Sequence, residues 1–158
     1  MRTDLVKTGI ENVVIKILKR LSDQRGYLVE IFRGDEDLLI PVMAYVSHTN
    51  FGFKRGPHEH REQTDFFIFL GPGDFELYLW DNNPCSRTYG NAEKIVVGET
   101  NPASVIVPPR VVHGYKSISK PGSFCINLPD RLYRGKNRKE EVDEVRHEDD
   151  PNSPFRIK

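Results

Sequence analysis

The chain has 158 residues, enough for one domain with a sizeable core. Lys and Arg together number 23, as do Asp and Glu, so the net charge is zero and no global basic field invites nucleic acid. No apolar run approaches the roughly 18 residues that span a bilayer. The N-terminus lacks a signal-peptide core, and only Cys85 and Cys125 occur. These features predict a single domain over residues 1–158 in a reducing, cytoplasmic setting, without a disulfide framework or a membrane span.

Taken in chain order, strand signals dominate. An apolar run at residues 13–18 is followed by a turn at Ser22-Asp23-Gln24. Residues 26–32 alternate and carry aromatic and β-branched side chains, and 35–39 are long enough for one helical turn. Strands are predicted at 41–48, 54–60 and 65–70, with a turn at Gly71-Pro72-Gly73. Residues 75–80 alternate Phe75, Leu77 and Leu79 against Glu76, Tyr78 and Trp80. Four more strands follow, at 92–98, 104–107, 112–118 and 123–128. Short strands at regular spacing with Gly, Pro and Asn turns predict an all-β barrel or sandwich. Good helix formers at 136–146 predict a short, solvated C-terminal helix, and 147–158, with Pro151 and Pro154, an irregular end. His147 reads as a surface histidine.

The chemistry concentrates in Gly52 to Gly71, G-F-K-R-G-P-H-E-H-R-E-Q-T-D-F-F-I-F-L-G. It spaces His58, His60 and Asp65 as H-x-H-x4-D, and His113 follows in V-P-P-R-V-V-H-G-Y. On a strand, residues i and i+2 face one side, so His58 and His60 share a face. A short turn can return Asp65 to it, and another strand can bring His113. Such a donor set suits a divalent metal, with Fe, Mn, Ni and Zn all open. The plainer reading is a set of polar strand residues without an ion.

This pattern resembles the first motif of the cupin family, G-x5-H-x-H-x3,4-E-x6-G. Gly52, His58, His60 and Gly71 match, Asp65 replaces the glutamate, and one residue fewer precedes the last glycine. In the second motif, G-x5-P-x-G-x2-H-x3-N, Pro108 and His113 match, while Pro102, Arg110 and Ser117 depart from it. The resemblance implies a double-stranded β-helix, a jelly-roll barrel.

Four pieces in order resemble the dTDP-4-dehydrorhamnose 3,5-epimerase family: Asp23-Gln24-Arg25-Gly26-Tyr27-Leu28-Val29-Glu30, Arg55-Gly56-Pro57-His58, Pro108-Pro109-Arg110-Val111-Val112-His113-Gly114-Tyr115 and Asp149-Asp150-Pro151. That resemblance implies an isomerase of nucleotide-linked 4-keto-6-deoxy sugars, and a homodimer is expected. It gives His58 the role of general base and gives Arg25, Glu30 and Arg55 contacts to nucleotide or phosphate. Read without the family, Arg25 is a turn residue paired with Asp23 or Glu30, and Arg55 a surface charge.

The departures fall at the chemistry. The family pairs its base with an aspartate in a C-terminal tail, which residues up to Lys158 do not supply. Its enolate-facing lysine aligns with Asp65, and its acid tyrosine falls near Ile126, leaving Tyr115 and Tyr133 as substitutes. Glutamine is usual where His60 stands. A lysine replaced by a carboxylate, beside an added histidine, turns an acid–base site toward a metal-assisted one. The alternatives are a metal-dependent cupin oxygenase or isomerase acting on an unrelated small molecule, and a non-catalytic carbohydrate-binding barrel.

Overall fold

The structure is a computed structural model that describes residues 5–37 and 39–158. Its strands are β1 (Leu5–Val6), β2 (Val14–Ile17), β3 (Leu21–Asp23), β4 (Gly26–Leu28), β5 (Tyr45–Asn50), β6 (Lys54–Glu59), β7 (Asp65–Phe69), β8 (Asp74–Asp81), β9 (Ala92–Gly98), β10 (Ala103–Val107), β11 (Val111–Ser117), β12 (Gly122–Asn127) and β13 (Val145–Arg146). They form a six-stranded sheet, β1-β2-β10-β7-β12-β5, a five-stranded sheet, β13-β6-β11-β8-β9, and a separate β3-β4 hairpin. Both sheets are open, so the fold is nearly all-β without a closed barrel.

Alternation builds the core. Phe75, Leu77 and Leu79 of β8 are fully buried and meet Phe67 and Phe69 of β7, with Val97, Val105 and Tyr115. Each buried side chain of this size contributes about 1.5–3 kcal/mol. The continuous apolar run of β7 has a second cause: its other face, Phe66 and Ile68, is covered by Leu18, Val29, Ile31, Phe32 and Leu39. A strand buried on both faces need not alternate.

Most predicted strands stand within a residue or two of their observed bounds. The strand expected at 26–32 ends at Leu28, because Val29, Ile31 and Phe32 pack as irregular chain over β7. The one expected at 41–48 is Tyr45–Asn50. The turn expected at 35–39 begins earlier: Asp37 N–H donates to Arg33 O at 2.8 Å and its carboxylate accepts Arg33 N–H at 2.7 Å, while position 38 lies outside the described residues.

The expected C-terminal helix at 136–146 is corrected to a single 3-10 turn, Lys136–Arg138, in which Asn137 has φ 58°. Tertiary pairing overrides local propensity here. Val145 and Arg146 pair with Glu59 and His58, and the Asp143 carboxylate accepts the backbone N–H groups of Arg61, Glu62 and Gln63. The tail expected to be irregular has no strand beyond residue 146 and is nonetheless pinned, with Ser153 and Ile157 buried. Among the described residues, no helix is long and apolar enough to cross a membrane.

Candidate active site

The site forms where the two sheets meet. In the β6–β11 pair, His58 lies opposite His113 and Arg55 opposite Tyr115, with a register shift between them. β6 therefore carries one extra residue, a bulge that re-aims His58. Gly56 makes it feasible: its φ is +77°, and a Cβ there would meet His113 O at 2.7 Å. β11 brings His113, β7 brings Asp65 from the other sheet, and His60 stands one residue past β6. One candidate ligand atom each from His58, His60, Asp65 and His113 lies within 4.8 Å of the others.

Surrounding groups set which atoms face inward. His113 Nδ1–H donates to Val111 O at 3.0 Å, and His60 Nδ1–H donates to Asp143 O. Asp65 Oδ1 accepts from Asn127 Nδ2 at 2.8 Å and from Gln63 Nε2 at 2.9 Å. Asp65 Oδ2 is left 3.0 Å from His60 Nε2 and 3.0 Å from His113 Nε2. With His60 neutral, acceptor faces acceptor there, and Asp65 Oδ2 and His113 Nε2 are left without a hydrogen-bond partner among the described residues. A buried polar atom left so costs about 1–3 kcal/mol.

The charges follow the same geometry. Burial raises the Asp65 carboxyl, but the adjoining His113 and His60 imidazoles outweigh it and hold it well below the usual range. Burial disfavours charge on His60, but the bond to Asp65 and its charge lift that imidazole to about 9. In the charged form His60 Nε2–H donates to Asp65; in the neutral form Nε2 accepts from Gln63 Nε2 at 3.2 Å. Burial, then His113 and His60, push His58 down to about 2, so it stays neutral.

His58 faces a different carboxylate. Glu144 Oε1 lies 3.6 Å from His58 Nδ1, and Glu144 Oε2 accepts from Arg146 Nε at 2.9 Å. A cavity of about 1400 Å³ opens over this pair, lined by Arg55, His58, His60, Tyr115, Tyr133 and Glu144 among others. Tyr115 is buried, its hydroxyl 3.2 Å from Ser47 Oγ, and burial pushes its phenol well above its ordinary range. Tyr133 is exposed. Arg55 is oriented by bonds to Thr49 Oγ1 at 3.0 Å and His48 O at 2.8 Å.

Arg25 and Glu30 are not brought here. Arg25 sits exposed at the β3-β4 hairpin, paired with Asp23 at 2.6 Å, and Glu30 pairs with Arg33 at 3.5 Å. The local pairing weighed for Arg25 is the one observed in this chain. His147 is corrected from a surface residue: its Nε2 lies 3.0 Å from Glu59 Oε1, and its ring packs on Phe155. Sequence reasoning missed Asp143 and Glu144, which sit in a charged run with helix-like composition. It also missed Gln63 and Asn127. The flanking valines at 142 and 145 were the one available signal for a strand-like segment.

Fold and cavity first define a class: a cupin-like jelly roll whose pocket is lined by imidazoles, carboxylates and a phenol, groups suited to moving protons. The model of the dTDP-4-dehydrorhamnose 3,5-epimerase family matches residues 7–150, and the chain belongs to that family of enzymes. It is 37% identical over 128 residues to a probable low-salt glycan biosynthesis epimerase, Agl13, of Haloferax volcanii, covering 79% of this chain and 81% of that protein. A dTDP sugar isomerase from Desulfovibrio desulfuricans shares the fold with a TM-score of 0.82 at 19% identity, over 96% of this chain and 94% of that one. An epimerase from Legionella pneumophila, in complex with dTDP-4-keto-L-rhamnose, shares it with a TM-score of 0.77 at 18% identity, over 92% and 77%.

Proposed function

We propose that the chain epimerises or isomerises a nucleotide-linked 4-keto-6-deoxy sugar by exchanging a proton on a carbon next to the ketone. The observation that carries this reading is His58, neutral and next to Glu144 on the cavity wall, at the position the family resemblance gives to the base. The imidazole takes the carbon-bound proton, and the Glu144 carboxylate stabilises the imidazolium that forms. Glu144 thus offers the carboxylate that the resemblance places in a tail. Tyr115 and Tyr133 are the hydroxyls along the cavity that can return a proton, Tyr115 from within the wall and Tyr133 from the mouth. Arg55 offers a planar fork to phosphate oxygens.

The finer reading adds a divalent cation, which would draw charge from the enolate oxygen, the work the resemblance gives to a lysine that Asp65 replaces. It also includes a homodimer. Arg25 and Glu30 lie off the cavity, so a role for them in substrate binding needs a second copy, and the exposed Tyr27, Leu28 and Val46 offer surface for one. The two free cysteines, one exposed and one buried, suit a reducing cytoplasm.

Incubation in heavy water with a dTDP-4-keto-6-deoxy sugar tests the reaction by mass spectrometry. Wild type takes up deuterium, and His58→Asn slows uptake by about 10²–10⁴-fold. No uptake by wild type overturns the reading. Arg55→Ala weakens nucleotide binding by about tenfold or more, since a hydrogen bond to a charged group contributes about 1.5–3 kcal/mol. One observation favours a second reading, a metal-dependent reaction on an unrelated small molecule: the ligand-like cluster around Asp65. Metal binding without nucleotide affinity would select it.

A further inference from the structure

We infer that Tyr45 is the acid of the reaction, the hydroxyl that delivers a proton to the carbon on the face opposite His58. The inference rests on the epimerase reading and adds a residue that no motif marks. Inversion at a carbon takes a proton from one face and delivers one to the other, so the acid must come from a different wall than the base. His58 lies on β6 and Tyr115 on β11, which are neighbours in the five-stranded sheet. Tyr45 lies on β5 of the six-stranded sheet and lines the same cavity. Of the two tyrosines that strands bring to this cavity, Tyr45 is the one on the other sheet from the base.

Hydrogen bonding makes Tyr45 a donor toward the cavity. It stands opposite Asn127 in the β5–β12 ladder, and Asn127 is buried. Phe66 N–H donates to Asn127 Oδ1 at 3.1 Å, which fixes the orientation of that amide. Asn127 Nδ2 then gives one hydrogen to Asp65 Oδ1 at 2.8 Å and the other to Tyr45 Oη at 3.0 Å. The phenol oxygen is thus an acceptor in that bond, and its own hydrogen is spent on no acceptor among the described residues. The Asn127 N–H also stabilises the phenolate once the proton has gone. Tyr115 is placed otherwise, buried with its hydroxyl 3.2 Å from Ser47 Oγ, and Tyr133 is exposed at the mouth.

The His58 imidazole takes the carbon-bound proton, and the C–H electron pair moves into the enolate. The Tyr45 O–H bond then breaks, its proton joins the carbon on the other face, and the enolate reverts to the ketone. An imidazolium and a phenolate remain. Both regain their starting forms by exchanging protons with water in the open cavity.

The test follows label and configuration separately. Protein and a dTDP-4-keto-6-deoxy sugar are mixed in heavy water, the two epimers are separated, and the mass of each is measured. In wild type the first epimer formed carries deuterium, delivered from Tyr45, while recovered substrate still carries hydrogen. Tyr45→Phe keeps the ring and lowers epimer formation by about 10²–10⁴-fold. In that variant deuterium still enters substrate of unchanged configuration, returned by His58. A merely structural role would slow exchange and inversion together. Circular dichroism checks the fold. Epimer formation at the wild-type rate in folded Tyr45→Phe overturns the inference and leaves the epimerase reading in place, and so does equal slowing of exchange and inversion. If the variant does not fold, the wild-type label decides. Deuterium that enters both epimers alike from the first turnovers means that one base serves both faces, and the inference falls. No uptake by wild type overturns the epimerase reading itself and the inference with it.

Discussion

Two imidazole–carboxylate pairs lie on opposite faces of one short strand, and they do opposite things. On one side of β6, Glu59 Oε1 accepts from Asn82 Nδ2 at 2.8 Å and from His147 Nε2 at 3.0 Å. On the other side, Asp65 Oδ2 meets His60 Nε2 and His113 Nε2 at the same 3.0 Å. In the Glu59 pair a donor faces an acceptor and the tail is fastened to the sheet. In the Asp65 cluster both Nδ1–H groups are already spent on Val111 O and Asp143 O, so one carboxylate oxygen faces two Nε2 atoms and takes a proton only from His60 in its charged form. The same groups at the same distance therefore give a structural clasp in one place and a ligand-ready cluster in the other. The orientation of the second ring nitrogen decides which.

The largest expected effect breaks this contrast from the cluster side. Asp65→Asn removes the one negative charge among the four candidate ligands, His58, His60, Asp65 and His113, and affinity for a divalent ion falls by about 100-fold or more. Glu59→Gln changes a carboxylate to an amide at the same strand and leaves metal affinity at the wild-type value. Equilibrium titration of both variants with zinc checks the pair. Equal losses in the two would mean that the ion samples surface carboxylates, and the contrast would vanish.

A smaller effect sharpens it. Asn127→Ala removes one donor from Asp65 Oδ1 without touching a proposed ligand. Outer partners of this kind typically contribute about 10–100-fold in metal affinity. We expect the low end, about tenfold, because Gln63 still holds the same oxygen at 2.9 Å. Zinc titration of Asn127→Ala against the Gln63→Ala and double variants measures this, and the double variant should lose more than either alone.

How much of this was legible in the sequence follows from how local each feature is. His58 and His60 share a site because strand alternation is local, and the H-x-H spacing carried it. The core face of β8 was legible for the same reason. Glu144 was not: its contact with His58 joins residues far apart in the chain, and the run around it has the composition of a solvated helix. Only the pairing of residues 145–146 with β6, and the Asp143 carboxylate on the 61–63 backbone, pull that run onto the site. His147 escaped for a related reason, since Glu59 is its partner only once β13 is in place. The motif placed Arg25 and Glu30 among the substrate contacts. The folded chain holds them on a hairpin and a loop away from the cavity, because no local rule says where a hairpin docks.

The smallest effect belongs to the clasp. Asn82→Ala deletes one hydrogen bond to Glu59 Oε1 but leaves His147 on the same oxygen. A single bond to a charged acceptor contributes about 1.5–3 kcal/mol when nothing replaces it. With His147 still in place, a loss near about 1 kcal/mol is expected, which lowers Tm by about 2–4 °C for a chain of this size. His147→Ala should cost more, since it also strips the ring from Phe155 and loosens the tail behind β13. Neither change touches the atoms around Asp65 Oδ2, so thermal unfolding should shift while zinc affinity stays fixed. If Asn82→Ala instead weakened zinc binding as much as Asn127→Ala, the two faces of β6 would be coupled through the strand. The clasp would then be part of the site rather than its mounting.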